Sequence, residues 1–275
     1  MRFARLVAFA AATLGAVLLI GASLLNPPTP EPDWLAYHNA AGRLLSGQPL
    51  YPVTSPDDSL AYRYSPWLAF AWIPLNLAGR TGEAIWFVLL GLAAVYIVAA
   101  SFRLGGHAGL VLGVLALPAL TVGNGNVAIL MLALLIATRI HPVAVGIAAS
   151  LKIYPLLLVA GYVAERRWRD AMVAIGIAAL LWAPALAFDL SGYIDSPGGG
   201  GLSLYAVSLP LWLAQDVILV AAVGYLALRR SKWTWLALAA AVPIVLPRVF
   251  LLGPEYFTAA ARRIERNREP DSAIP

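Results

Sequence analysis

The chain has no cysteine, and only 12% of its residues are charged. Without thiols there are no disulfides, thiolate metal sites or cysteine nucleophiles. A soluble domain carries about 25% charged residues, so too few remain here to cover a surface facing water. Polar sequence is scarce as well: the longest such stretch, Asn26 to about Ser65, is too short for a soluble domain of its own. His38, His107 and His141 are the only histidines and lack the clustered spacing of a metal site, so no metal ligands are assigned and no cofactor is expected, with the metal requirement left open. Internal repeats are absent, and Gly198–Gly201, a loop tip, is the one low-complexity stretch. The net charge of +5 does not point to nucleic acid, because Lys and Arg sit mostly beside apolar blocks, as topology signals do.

What is present is apolar: 61% of the residues are hydrophobic and the mean hydropathy is +0.78. The apolar residues come in long blocks rather than in period-2 or period-3.6 patterns, which bilayer solvent explains. Leu6–Leu25, after Arg2 and Arg5, is long for a signal-peptide core and is read as a retained transmembrane helix. Further segments follow at Pro66–Leu77, Ala84–Phe102, Ala108–Val122, Val127–Thr138, Pro142–Ala164, Ala171–Phe188, Tyr205–Leu228 and Trp233–Phe250. Pro66–Leu77, Ala108–Val122 and Val127–Thr138 fall short of the ~20 residues that a span needs. They are expected to be re-entrant, or buried among longer helices.

The expected architecture is a single all-α polytopic membrane domain over residues 1–275, with eight or nine transmembrane or re-entrant segments. It divides into a first transmembrane helix (6–25), an external loop with a juxtamembrane helix (26–65), a membrane bundle (66–252) and a polar basic tail (253–275). The basic loops Glu165–Arg169 and Arg229–Lys232 read as cytoplasmic, together with the N-terminus. Alternation through eight segments then puts Asn26–Ser65 and Asp189–Leu204 outside. The end breaks the pattern: either Trp233–Phe250 is re-entrant, or the tail with Arg262, Arg263, Arg266 and Arg268 violates the charge rule.

Polar chemistry concentrates between Glu31 and Ser65. Pro32 and Asp33 make a helix start and Gly47 a stop. On a helix over 33–46, Asp33, Tyr37, Ala40 and Leu44 share one face, and Asn39, Arg43 and Ser46 the opposite one. The carboxylate therefore points with the apolar face, towards the membrane domain. Position alone leaves two readings open for Asp33, an N-cap and a functional carboxylate. Asp57 and Asp58 read as turn residues beside Pro56.

The run Asp33-x-x-x-Tyr37, Ala40-x-x-Leu44, Gly47-x-x-Leu50-Tyr51, then Tyr64-x-Pro66 and Pro74-Leu75, resembles the opening of glycosyltransferase family 87. Gly123-Asn124-Gly125-Asn126 and Leu151-Lys152-x-x-Pro155 extend the likeness over roughly residues 30–190. The family comprises polyprenyl-phosphate-mannose-dependent mannosyltransferases of the GT-C superfamily. This chain looks like a short or divergent member, without the His expected soon after Pro247. The resemblance implies a GT-C-like fold in the plasma membrane. It also implies inverting transfer of a sugar, mannose first, from a polyprenyl-phosphate donor to a lipid or glycan acceptor of the cell envelope on the extracytoplasmic side. An acidic residue of the first external loop acts as base in such enzymes, and Asp33 is the matching position.

That chemistry needs a proton acceptor for the attacking hydroxyl and cations for the departing phosphate. Lys152 is the first candidate: it lies about 15 Å into the Pro142–Ala164 block, where a charge is a functional hypothesis by default. Snorkelling or an internal pair is its bland alternative. Arg63, just before Pro66, is the second and Arg248 a weaker third. Tyr37, Tyr51 and Tyr64, with Trp34, are candidate sugar or acceptor contacts; as a group the aromatics also serve as interface belts. Gly123–Asn126 reads as a helix-breaking turn without an assigned role. A transporter or flippase of a lipid-linked substrate should show paired halves with matching broken helices, and none are seen here. A non-catalytic membrane scaffold is the third reading. Substitution of Asp33 separates the three.

Overall fold

A computed structural model describes residues 33–54, 60–117, 125–194, 208–229, 231, 233–244 and 255–266. The expectations on Leu6–Leu25, Asp57, Asp58, Gly198–Gly201 and Arg248 lie outside the described residues. Among the described residues every regular element is helical. Among the described residues three helices, Arg80–Phe102, Trp168–Ala187 and Leu209–Leu228, are long and apolar enough to cross a membrane, and shorter apolar helices pack among them. The chain is an all-helical polytopic membrane protein.

The first described helix, α1 (Asp33–Leu45), buries Ala36, Tyr37, Ala40 and Ala41. That is the face marked by the spacing of Asp33, Tyr37 and Ala40. It stops where Gly47 takes φ +66, with Gln48 N–H bonded back to the Arg43 carbonyl at 2.9 Å. Helix α2 (Pro66–Leu77) starts from an extended Ser65 with Pro66 in its first turn. Both its ends are tied to the elements around Asp33: Trp67 Nε1 donates to Ser150 Oγ at 2.9 Å, and Asn76 Nδ2 to the His38 carbonyl at 2.9 Å. A helix of 12 residues spans about 18 Å. It lies against α1 instead of crossing.

The long helix α3 (Arg80–Phe102) then leaves this end of the molecule. Trp86, Leu90, Ala93, Ala94, Ile97, Ala100 and Ser101 form its buried stripe, while Val88, Leu92 and Val95 are exposed and face lipid. Helix α4 (Gly106–Ala116) follows it, and by Gly125 the chain is back beside Trp34 and Trp86. From there α5 (Ala128–Ala137) runs to the far end.

Pro142–Ala164 is not one helix. Helix α6 (Pro142–Leu151) stops at an extended Lys152 (φ −140°, ψ 128°), and a 3-10 turn (Tyr154–Leu158) and α7 (Val159–Ala164) follow. Pro155 is the cause: its ring clashes with the carbonyl four residues back, that of Leu151, and it donates no hydrogen bond. Near the end of α7 the Tyr162 hydroxyl donates to the Ile140 carbonyl, just before α6 begins. The two arms are therefore antiparallel and Lys152 stands at the tip of a hairpin, each arm only about 15 Å long.

Helix α8 (Trp168–Trp182), prolonged by a 3-10 turn to Ala187, packs along α6 through small residues. A Cβ on Gly146 would stand 2.7 Å from the Ala174 carbonyl. Close approach of this kind drives association in lipid, where apolar burial alone gives little. A short helix, α9 (Ser191–Ile194), lies against Tyr51 and Pro52. Helix α10 (Leu209–Leu228) buries only Val223 and presents its apolar side chains to lipid.

The last helices are α11 (Thr234–Ile244) and α12 (Glu255–Arg266). Arg263 of α12, 1% exposed, donates to Glu165 Oε2 at 3.0 Å, and Trp235 of α11 donates to Oε1 at 2.6 Å. Thr258 meets Ser101, in the last turn of α3, at 2.8 Å. The start of the basic tail thus lies beside the basic Glu165–Arg169 loop.

Candidate functional site

Asp33 opens α1, and its Oδ2 accepts from Asn126 Nδ2 at 2.6 Å. Asn126 is fixed from its other side, because its Oδ1 accepts the Ala128 N–H at 2.8 Å. The neighbouring Val127 N–H donates to the Tyr37 hydroxyl at 3.1 Å, and Trp86 Nε1 to the Gly125 carbonyl at 2.9 Å. The start of α5 is therefore clamped onto α1 and α3 around one carboxylate. Gly125 is required on two counts: it takes φ +68, and an added Cβ would stand 2.7 Å from Trp34 Cβ.

An aromatic wall backs the site. Tyr37 contacts Tyr64, Trp72 and Trp86 edge-on, with ring centroids 5.0, 5.3 and 5.9 Å away. Such pairs contribute about 0.5–1.5 kcal/mol each beyond simple burial. The Tyr37 hydroxyl donates to that of Tyr64 at 3.2 Å, and Tyr51 donates to the Tyr64 carbonyl at 2.8 Å. Tyr62 stacks on Tyr51 at 5.8 Å, and its hydroxyl donates to the Ser65 carbonyl at 2.7 Å. Sequence reasoning offered Tyr37, Tyr51 and Tyr64 as sugar contacts; here they are buried to 0%, 3% and 8% exposure, packed against one another. Burial, with the nearby Asp33 charge added, pushes the Tyr37 and Tyr64 phenols up, so both stay protonated.

Lys152 comes to this site from the hairpin tip. Its Nζ stands 5.7 Å from the Tyr64 ring centroid, and its charge acts on Asp33. Burial pushes the Asp33 carboxyl above its usual range; the Lys152 charge and the Asn126 N–H bond pull it part of the way back. Arg63 is half-buried, and its charge acts on Tyr64 and Tyr193. The arrangement joins a carboxylate suited to taking a proton with cations suited to holding an anion. Sequence reasoning missed Asn126, Gly125 and Trp86. The signals were the helix break at Gly123–Asn126 and its part in the family likeness, and neither says what the amide reaches.

Residues 62–195 match the sequence model of glycosyltransferase family 87. The matched span takes in Arg63, Tyr64, Asn126 and Lys152, and begins after Asp33. No curated protein and no solved structure matches the chain. The match agrees, over residues 62–195, with the family that the motifs suggested, and supports a membrane glycosyltransferase.

Proposed function

With family 87 over residues 62–195 as the premise, we propose that the chain transfers a sugar, mannose first, from a polyprenyl-phosphate donor to a lipid or glycan acceptor. The reaction takes place at the extracytoplasmic face of the plasma membrane, with the N-terminus inside, and inverts the anomeric carbon. Asp33 takes the proton of the acceptor hydroxyl as that oxygen attacks the anomeric carbon. The bond from that carbon to the phosphate oxygen breaks, and its electron pair leaves with the polyprenyl phosphate. A phosphate monoester has a second pKa near about 6, so it departs without a proton donor once cations offset its charge. Lys152 and Arg63 have that role. Tyr64, the least enclosed of the three tyrosines, meets the sugar, with Tyr37 and Tyr51 setting its ring and backbone in place.

The observation that supports this reading is the convergence of Asp33 and Lys152, remote in sequence, beside Tyr64. The test is sugar transfer by the purified protein in nanodiscs. Polyprenyl-phosphate mannose, glucose and arabinose are the donors, a membrane-lipid extract is the acceptor, and product is followed by mass spectrometry and its anomer by NMR. The expected result is transfer from one donor with inversion. A product of retained configuration would overturn the single-displacement mechanism, and neither transfer nor binding of any donor would overturn the assignment.

A further inference from the structure

Among the polar side chains around Asp33, one is neutral, built in from both sides and without a part in the reaction described above. Asn126 holds Asp33 Oδ2 at 2.6 Å through its N–H, and its own carbonyl is committed to the Ala128 N–H at 2.8 Å. The amide is therefore set in one orientation: turned over, it would oppose oxygen to carboxylate and N–H to N–H. The adjoining backbone is held just as firmly, Gly125 by Trp86 and Val127 by Tyr37. These bonds seat the start of α5 at the carboxylate, where the helix dipole presents its positive end.

We infer that Asn126 is the positioning residue of this site, fixing the Asp33 carboxylate for proton transfer and keeping it ionised. The inference rests on Asp33 being the base. A capping asparagine needs only its Oδ1; the 2.6 Å bond from Nδ2 across to another helix is what a cap leaves unexplained. An N–H donor favours the charged form of its acceptor, which a base needs when burial works the other way. Among the described residues, titratable groups that act on Asp33 include Lys152 from the hairpin tip, Tyr37 from α1 and Tyr64 from the segment before α2. Asn126 is the contribution of α5.

Asn126→Asp separates positioning from capping, since it keeps an oxygen for Ala128 and replaces the donor facing Asp33 by a second carboxylate. Two carboxylates at that distance share a proton, so the acid limb of the pH–rate profile moves to higher pH. With full chain in nanodiscs, polyprenyl-phosphate mannose and a membrane-lipid extract, the expected shift is about one pH unit or more. We expect kcat to fall by about tenfold or more near neutral pH and the donor KM to stay within about twofold. Asn126→Ala loses the cap and the donor together, so it melts lower and its acid limb moves in the same direction but by less, because no second carboxylate is added. Unmoved limbs in Asn126→Asp, or a loss of kcat that only follows melting temperature in both variants, would overturn the inference. Asp33→Asn is run alongside: if it is inactive while the Asn126→Asp profile is unmoved, only the positioning role fails. If Asp33→Asn is active, the base fails and the inference with it. A readout independent of turnover is the pH dependence of melting. Asn126→Asp should lose stability as pH rises through the carboxylate range, and Asp33→Asn in the same chain should abolish that loss; a pH dependence equal to that of the unsubstituted protein also counts against the inference.

Discussion

Two carboxylates, one at each end of the bundle, are held by different partners. At the far end Glu165 has both oxygens engaged, Oε1 by Trp235 at 2.6 Å and Oε2 by Arg263 at 3.0 Å, with Arg167 at 3.6 Å. Arg263 is itself enclosed, its guanidinium 5.7 Å from the Tyr162 ring and 5.2 Å from that of Trp235. Charge there is matched by charge, and the pair fastens α12 and α11 to the basic loop. At the other end a neutral amide bonds Asp33, and the charge of Lys152, whose ammonium stands over a phenol ring, also acts on the carboxylate. An amide-held carboxylate beside a cation can take a proton, while the cation holds an anion.

Substitutions can break or sharpen that contrast. Asp33→Ala should lower kcat by about 10²–10⁴-fold, the range for a lost general base, with the melting temperature little changed. Lys152→Ala should lower kcat/KM by about 10²–10³-fold, the range for one lost electrostatic donor. Donor binding by polyprenyl-phosphate mannose should weaken with it; unchanged affinity would remove Lys152 from the phosphate. Arg263→Ala should do the reverse, costing about 2–3 kcal/mol because a half-exposed Glu165 is left without its enclosed partner. Its kcat per folded molecule should stay within about twofold. A tenfold fall in kcat without a fall in melting temperature would mean that the far end also takes part in turnover. Gly125→Ala should cost about 1–3 kcal/mol through strain at positive φ and contact with Trp34, read as a lower melting temperature.

The pH dependence carries a sign. Asp33 must be ionised to act, and its carboxyl lies above the usual carboxylate range. Activity should therefore rise with pH through a limb higher than that of an exposed aspartate. Because the folded carboxyl is raised, its contribution to stability is fully present below the unfolded pKa and is lost as pH rises through the folded one. Melting temperature and activity should thus move in opposite directions across that window.

Much of the Asp33 end was legible. The spacing of Asp33, Tyr37 and Ala40 predicted which face of α1 is buried, and Ser65-Pro66 marked the start of α2. The path of the chain was not. Pro66–Leu77 is expected to be re-entrant or buried and lies against α1, whereas Pro142–Ala164, read as one segment, doubles back at Lys152. Pro155 held the missing information, since it ends the helix at Leu151 and puts Lys152 at a tip. Its effect depends on whether the chain resumes straight or doubles back, and that is set by the Tyr162 bond to Ile140, a tertiary contact. Asn126 was illegible for the same reason: sequence shows a helix break, while its worth lies in a hydrogen bond to a residue on another helix. The return of α12 rests on Arg263 finding Glu165, the one acid in a basic run.

The most direct test of the account is to measure turnover and donor binding together in Asp33→Asn, which keeps shape and removes only the base. Protein in nanodiscs is titrated with polyprenyl-phosphate mannose, and transfer to the lipid extract is followed on the same preparation. The account predicts binding within about twofold of the unsubstituted protein and turnover reduced by about 10²-fold or more. Turnover retained within about tenfold would contradict it, and the proton would have to go elsewhere than Asp33.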